Sequence, residues 1–368
     1  MHGRRSGVMA RWGLALRVRQ PGLGSDMKIL LIGGTRFVGR FLAQDLLRRG
    51  HEVTFFHRGE TNPDLFSQAE HVLGDRRTDI GRLGDRTWDV VVDTCGYDIE
   101  DVQPAVQQLA DQIGQYVFVS SAAVFEPTTE PGIDESAPVQ DGPERSEPVA
   151  WWHSSYARNK VRCERLLREA FGPSRLLMVR PGMVIGPNDP SWLFPYWVLR
   201  IGRGGDVLAP GNGTQPLQFI DVRDLASFTG GLIDRSTSGV FTVDGPEQPL
   251  TFASYLGQLV VTMDSDARLV WVDEDWLLGQ ELNPPWERLP YWLPDPEVGS
   301  YCAMDNTKAI EHGLTFRPLA ESAEDVRAWY EAGDFAERDG WVDGHPPSLL
   351  LGPQEEEALL QTYGSRSR

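Results

Sequence analysis

Tyr156-Ala-Arg-Asn-Lys160 sets a phenol and an ammonium four residues apart. On a helix that is one turn, so both lie on the same face. A free phenol, with a pKa of ~10, is almost wholly protonated at neutral pH. A cation held beside it favours the phenolate. Lowering the pKa by ~3 units asks for about 4 kcal/mol of differential stabilisation. In a dry site, a close ammonium together with a positively charged nicotinamide can supply that. Such a tyrosine exchanges a proton with an alcohol or carbonyl oxygen while hydride passes to or from a cofactor. Upstream, Val117-Phe-Val-Ser-Ser121 ends in two serines, and a hydroxyl there can donate to the same oxygen. The Tyr–Lys spacing is common on surface helices. Its position after a strand of a parallel array gives it meaning, because ligands bind at the carboxyl edge of such sheets.

A second chemical feature lies near the start. Lys28-Ile-Leu-Leu-Ile32 runs straight into Gly33-Gly-Thr-Arg-Phe-Val-Gly39. A strand, a glycine turn and a helix in that order present free N–H groups to a pyrophosphate. Gly33 suits the tight turn and Gly39 the close approach of helix to sheet, with Thr35, Phe37 and Val38 in the same turn. Arg36 replaces the glycine usual at the middle position, and its guanidinium can meet a phosphate in bidentate fashion. After the second strand comes Phe56-His57-Arg58, where an NAD site would place an acid on the ribose. Arg36 and Arg58 together suit a 2′-phosphate, so the expectation is NADP(H), with NAD(H) as the alternative. Gly74-Asp75-Arg76 follows an apolar pair. Asp75 there either accepts from an adenine amino group or caps a turn.

The elements that must position these groups are legible in outline. Phe37 to Arg49 reads as an amphipathic helix stopped by Gly50. Strands are expected at 53–56, 90–92, 116–119 and 176–179, with helices near 99–112 and 156–170. That alternation is a doubly wound α/β domain. After Arg180-Pro-Gly182 the texture turns rich in proline, glycine and tryptophan. Six of the twelve tryptophans fall between 192 and 292, which suggests a smaller lobe laid over the sheet. A short helix is expected around 354–361.

Composition limits the partners. There are 53 acidic and 35 basic side chains, a net charge of −18. That repels nucleic-acid backbones and anionic membranes, so neither is expected. No apolar run reaches ~18 residues. Cys95, Cys163 and Cys302 are isolated and the histidines show no ligand spacing, which argues against disulfides and a metal site. The expected location is cytoplasmic. Residues 1–26, with five arginines against one acid, are expected to be a disordered extension.

From about Met27 to Trp329 the chain resembles the extended short-chain dehydrogenase/reductases, which include the NAD(P)-dependent epimerases and dehydratases. The resemblance rests on Gly33–Gly39, Gly74-Asp75, Asp93-Thr-Cys-Gly96, Val119-Ser-Ser-Ala-Ala-Val-Phe125 and Tyr156-x-x-x-Lys160. Arg180-Pro-Gly-Met-Val-Ile-Gly-Pro187, Phe219-Ile-Asp-Val-Arg-Asp-Leu-Ala226 and Asp305-Asn-Thr-Lys308 extend it. It implies Tyr156 as the acid/base, Lys160 on the nicotinamide ribose and Ser121 as the third catalytic hydroxyl. It also implies Asp75 and Arg76 on the adenine side, with Cys95, Gly96 and Pro181 along the cofactor. The implied fold is a Rossmann doubly wound parallel sheet with a smaller mixed C-terminal substrate lobe. The Rossmann part covers 27–180 plus about 217–245, the lobe 181–216 and 246–330, and 331–368 is a tail. A homodimer paired through Rossmann helices is also implied.

Three departures narrow the chemistry. Ala122 and Ala123 stand where related dehydratases carry acids, so dehydration is not expected. Leu217 stands where nucleotide-sugar members place an arginine before the Phe-Ile segment, so no diphosphate handle is expected. The Arg36 turn is shared with atypical members, including plastid stem-loop RNA-binding proteins. Ala122, Ala123, Trp192 and Gln218 are the expected substrate contacts. The resulting expectation is an oxidoreductase that interconverts a secondary alcohol and a ketone on a sugar-like or polyol metabolite. A sugar epimerase with transient hydride transfer is one alternative, and a non-catalytic RNA-binding or cofactor-sensing protein is another.

Overall fold

The computed structural model describes residues 26–141, 155–282, 285–294, 301–333 and 350–366. The expectation for the first 25 residues lies outside them. Seven strands form one sheet: β1 (Lys28–Ile32), β2 (Glu52–His57), β3 (Glu70–Leu73), β4 (Trp88–Asp93), β5 (Ile113–Val119), β6 (Leu176–Pro181) and β7 (Gly239–Val243). Their order is β7-β6-β5-β4-β1-β2-β3, and every pairing is parallel. Crossing helices must then cover both faces, which explains the unbroken apolar runs. In β1, residues 29–32 are all buried.

One face is covered by α1 (Phe37–Arg49) and, later in the chain, α5 (Val222–Asp234). Phe41, Leu42 and Leu46 meet Leu225, Phe228 and Leu232 there. Gly50 ends α1 at φ +94, its N–H reaching the carbonyls of Leu46 and Leu47, the left-handed cap that glycine favours. The other face carries α2 (Ile99–Leu109) and α3 (Ser155–Phe171), through Val102, Leu109, Cys163 and Leu167. This is the Rossmann arrangement, with β1 and β4 at the centre, where strand order reverses.

A second core lies beyond β6. It is built by α4 (Leu193–Gly202), α6 (Phe252–Thr262), α7 (Leu319–Ala332) and the parallel pair Asp206–Pro210 and Arg268–Val272. Trp197 and Trp292 are wholly buried in it. The C-terminal stretch read as a tail contains α8 (Pro353–Ser365), which packs on this lobe. Its Glu356, 3% exposed, accepts from Arg200 Nε at 2.5 Å and from the Leu208 N–H at 2.9 Å. No helix among the described residues is long and apolar enough to cross a membrane.

Candidate active site at the carboxyl edge

The glycine turn sits between β1 and α1 as its sequence suggests. Gly33 has φ +96, and a Cβ on it would lie 2.6 Å from Thr94 Oγ1. A Cβ on Gly39 would lie 2.9 Å from the Gly34 Cα, so α1 could not approach the turn. Arg36 is exposed at the N-cap of α1. The first-turn N–H groups of Phe37, Val38 and Gly39 have no partner within their own helix and carry its positive dipole end. Thr35 is buried, and its carbonyl accepts from Asn62 Nδ2 at 2.9 Å. The turn has the shape and charge a pyrophosphate needs.

Lys160 projects from α3 under the tips of β4 and β5. It is 2% exposed, and its Nζ donates to the Val119 carbonyl at 2.9 Å. Three rings surround it: Phe118 at 4.6 Å, Tyr97 at 5.3 Å and Tyr156 at 5.9 Å from Nζ to ring centre. Burial pulls its pKa below the usual lysine value, while Asp93 pushes it back up. Tyr156, half-buried, lies one turn earlier, its ring 6.4 Å from that of Tyr97. The two serines after β5 differ in role. Ser120 is buried, and its hydroxyl donates to Glu164 Oε1 at 2.7 Å. Ser121 is half-buried, and its Oγ accepts from the Ala123 N–H at 3.1 Å. A hydroxyl that already accepts keeps its proton to donate. Phenol, ammonium and one hydroxyl thus share the carboxyl edge.

Other expected residues are engaged elsewhere. Arg76 points inward and grips Asp93 with two bonds of 2.7 and 2.5 Å, while its Nε donates to the Asp101 carbonyl. A guanidinium so committed has no fork left for adenine. Asp75 Oδ1 accepts from the Arg77 N–H at 2.8 Å, the turn-capping alternative. Cys95 Sγ faces the Ile32 carbonyl and Arg76, and burial pushes its thiol up to about 11. Gly96 lies just beyond it, against Val102, Phe118 and Asp93. Arg58 is exposed and pairs with Glu60 at 3.1 Å. Pro181 closes β6 beside Val243.

The substrate-side expectations fare unevenly. Ala122 and Ala123 form a buried single turn after Ser121, with no acid in it. Gln218 is fully buried. Its amide donates to the carbonyls of Pro246 and Met304, and its oxygen accepts from the Met304 N–H. Both ends of its amide are bonded to backbone, and the side chain is not exposed to a substrate. Trp192 starts α4 at φ +58 and packs against Trp329 and Tyr330 of α7, at 5.7 and 6.2 Å.

Sequence reasoning missed Tyr97, although an aromatic directly after Gly96 was the available signal. It also missed Glu164, one turn beyond Lys160. Arg180 holds that carboxylate with bonds of 2.9 and 2.6 Å, both residues being buried. This pins the middle of α3 to β6. In the lobe, Asp189 is 1% exposed. Its Oδ1 accepts from the Ser191 N–H and hydroxyl, while Oδ2 has no partner. Burial raises its pKa to about 6.

Comparison with known proteins gives a consistent neighbourhood. Residues 99–240 match the NAD dependent epimerase/dehydratase family. Over 247 residues the chain is 29% identical to the chloroplast stem-loop binding protein of 41 kDa b from Arabidopsis thaliana. That match covers 62% of this chain and 61% of that protein, less than two thirds of its length. It is 28% identical to the epimerase family protein SDR39U1 of Bos taurus, over 62% of this chain and 78% of that one. Among solved structures, the UDP-glucose 4-epimerase of Bifidobacterium longum, in complex with NAD+ and UDP, superposes with a TM-score of 0.60. It covers 85% of this chain and all of that one at 17% identity, which speaks to fold.

Proposed function

Because residues 99–240 match the NAD dependent epimerase/dehydratase family, we propose that this chain is an NADP(H)-dependent oxidoreductase interconverting a secondary alcohol and a ketone on a polar, sugar-like metabolite. The observation that carries the reading is the buried Lys160 ammonium, hung from the Val119 carbonyl beneath the Tyr156 ring. The cradle of Gly33, Arg36 and the α1 N-terminus fits a dinucleotide pyrophosphate, and Arg58 at the end of β2 favours a 2′-phosphate. When bound, the nicotinamide supplies hydride exchange. Tyr156 gives its proton to a carbonyl oxygen in reduction, or takes one from an alcohol in oxidation. Lys160 stabilises the phenolate left behind, and the Ser121 hydroxyl donates to the same substrate oxygen. Ala122 and Ala123 offer no acid to expel hydroxide, so dehydration is outside this chemistry.

Tyr156→Phe tests it. The expected result is a ~10²–10⁴-fold loss of turnover, the usual worth of a positioned acid/base, with coenzyme Kd within a few-fold of wild type. Retained turnover would overturn the assignment. Stoichiometric change in coenzyme absorbance marks a reductase or dehydrogenase; product formed without it marks an epimerase. A second reading is favoured by the likeness to the stem-loop binding protein: a non-catalytic RNA binder. It requires salt-sensitive RNA affinity that survives Tyr156→Phe. The net charge of −18 weighs against it.

A further inference from the structure

Two histidines, His57 at the carboxyl end of β2 and His71 near the start of β3, form a relay that the proposed chemistry does not use. His57 Nε2 lies 2.8 Å from His71 Nδ1. His71 Nε2 lies 3.1 Å from the Phe66 carbonyl. The Gly59 N–H donates to His57 Nδ1 at 3.0 Å. These partners fix the protons. A carbonyl only accepts, so His71 carries its proton on Nε2 and its Nδ1 must accept. His57 Nε2 is therefore the donor between the rings. A backbone N–H only donates, so His57 Nδ1 is bare. Every nitrogen is satisfied when both rings are neutral. An added proton has two places to go, and each puts two donors face to face.

The relay also has a mechanical consequence. Gly59 opens the loop between β2 and β3, and Phe66 lies near its end. The two rings tie these points together. Between them, Asn62 donates to the Thr35 carbonyl, next to Arg36 in the phosphate turn. The loop therefore runs from Arg58 to the turn that carries Arg36, held at both ends by imidazoles. Gly59 sits at φ +79, a conformation its bond to His57 helps to hold.

We propose that the His57–His71 relay is a positioning element for coenzyme recognition, holding Arg58 and Arg36 in register for the 2′-phosphate and releasing them when it takes up a proton. This rests on the coenzyme reading above. The groups around the relay leave it little reason to charge. On its own loop lie Arg58 and Glu60, paired and exposed. From β2 and β3, Thr54 holds Glu70, which Arg86 also pairs. Phe55 stacks on His71 at 4.8 Å, and Phe66 stacks on Phe55. Burial first, and His71 second, keep His57 below the ordinary histidine value. His57 therefore resists protonation, and gains a proton only at a lower pH than an ordinary histidine.

The test is direct binding of NADPH and NADH by fluorescence titration between pH 8 and 5.5, in three proteins. Wild type should prefer NADPH at pH 8 and lose preference as the pH falls. His57→Asn keeps an oxygen for the Gly59 N–H but cannot titrate. It gives up the bond to His71, so it should fall somewhat below the wild-type preference at pH 8 and lose about three- to tenfold less of what remains in acid. The titration of the phosphate itself is common to both proteins and cancels. His57→Leu, confirmed folded by circular dichroism, should have lost about tenfold of the preference already at pH 8, the worth of one anchoring hydrogen bond. His57→Asn tracking wild type through acid would overturn the proposal, as would His57→Leu with its preference intact. A wild type indifferent to the two coenzymes would instead remove the coenzyme reading and this inference with it. Independently of any ligand, nitrogen-15 NMR at pH 7.5 should show His57 with a bare Nδ1. A proton found there would also overturn the proposal.

Discussion

Lys160 is the residue on which burial and function pull in opposite directions. Desolvation disfavours its ammonium, yet the role proposed for it needs the charge. With the folded pKa depressed, the cation is complete at low pH and is lost as pH rises through a value below the ~10.4 of a free lysine. Turnover should therefore decline on an alkaline limb that falls earlier than an ordinary lysine would give. In Lys160→Met the rate should drop ~10–100-fold and that limb should vanish from the kcat/KM profile; an unchanged limb would assign it to another group. At this scale the sequence reveals residues whose role depends on their neighbours along the chain. Tyr156 and Lys160 are one helical turn apart, so their pairing was legible. Arg76 was not, because its partner Asp93 is brought in by the pairing of other strands, and nothing beside Arg76 announces a buried carboxylate. Gln218 misled for the same reason, since the backbone that consumes its amide comes from Pro246 and Met304.

Among the elements, the best-read segment was β1 through α1, where an apolar run, a glycine turn and a C-capping glycine follow one another. The expected helix, Phe37 to Arg49, coincides with the observed one. β3 and β7 were harder. β3 is an edge strand with mixed polarity, and β7 joins β6 across ~60 residues of intervening chain. Only long-range pairing defines either of them. The loop into α4 carries a stability prediction. Asp189 titrates near 6 when folded but near ~3.9 when unfolded. Its stabilising protonated form is complete below the unfolded value and is lost as pH rises through the folded one. Above pH ~6 the buried charge costs about 3 kcal/mol, at ~1.4 kcal/mol per unit. Asp189→Asn keeps an oxygen for Ser191 and removes the charge. Its melting temperature should exceed wild type by a few degrees at pH 7.5, with the gap closing toward pH 4. An equal gap at both pH values would mean the carboxyl is not the cause.

For the whole molecule, two cores share one chain, and the last described helix fastens the second. Glu356 of α8 was unreadable as an anchor, because an acidic run in a proline- and glycine-rich stretch has the pattern of a solvated surface. Only the arrival of Arg200 and the Leu208 N–H makes its burial tolerable. Removing one partner of a buried pair costs about 3–5 kcal/mol. Glu356→Ala should therefore lower the unfolding free energy of the lobe by that amount, read as a lower urea midpoint at unchanged slope, while coenzyme affinity at the sheet edge stays near wild type. Loss of both together would show that the two cores unfold as one. Finally, α3 carries its phenol, its ammonium and the carboxylate locked to Arg180 at successive four-residue steps along one rigid rod. Anchor and reactive group cannot drift independently, so the rod behaves as a ruler whose zero is set deep in the sheet and whose far mark lies at the surface. Changes in the lobe above need not recalibrate it.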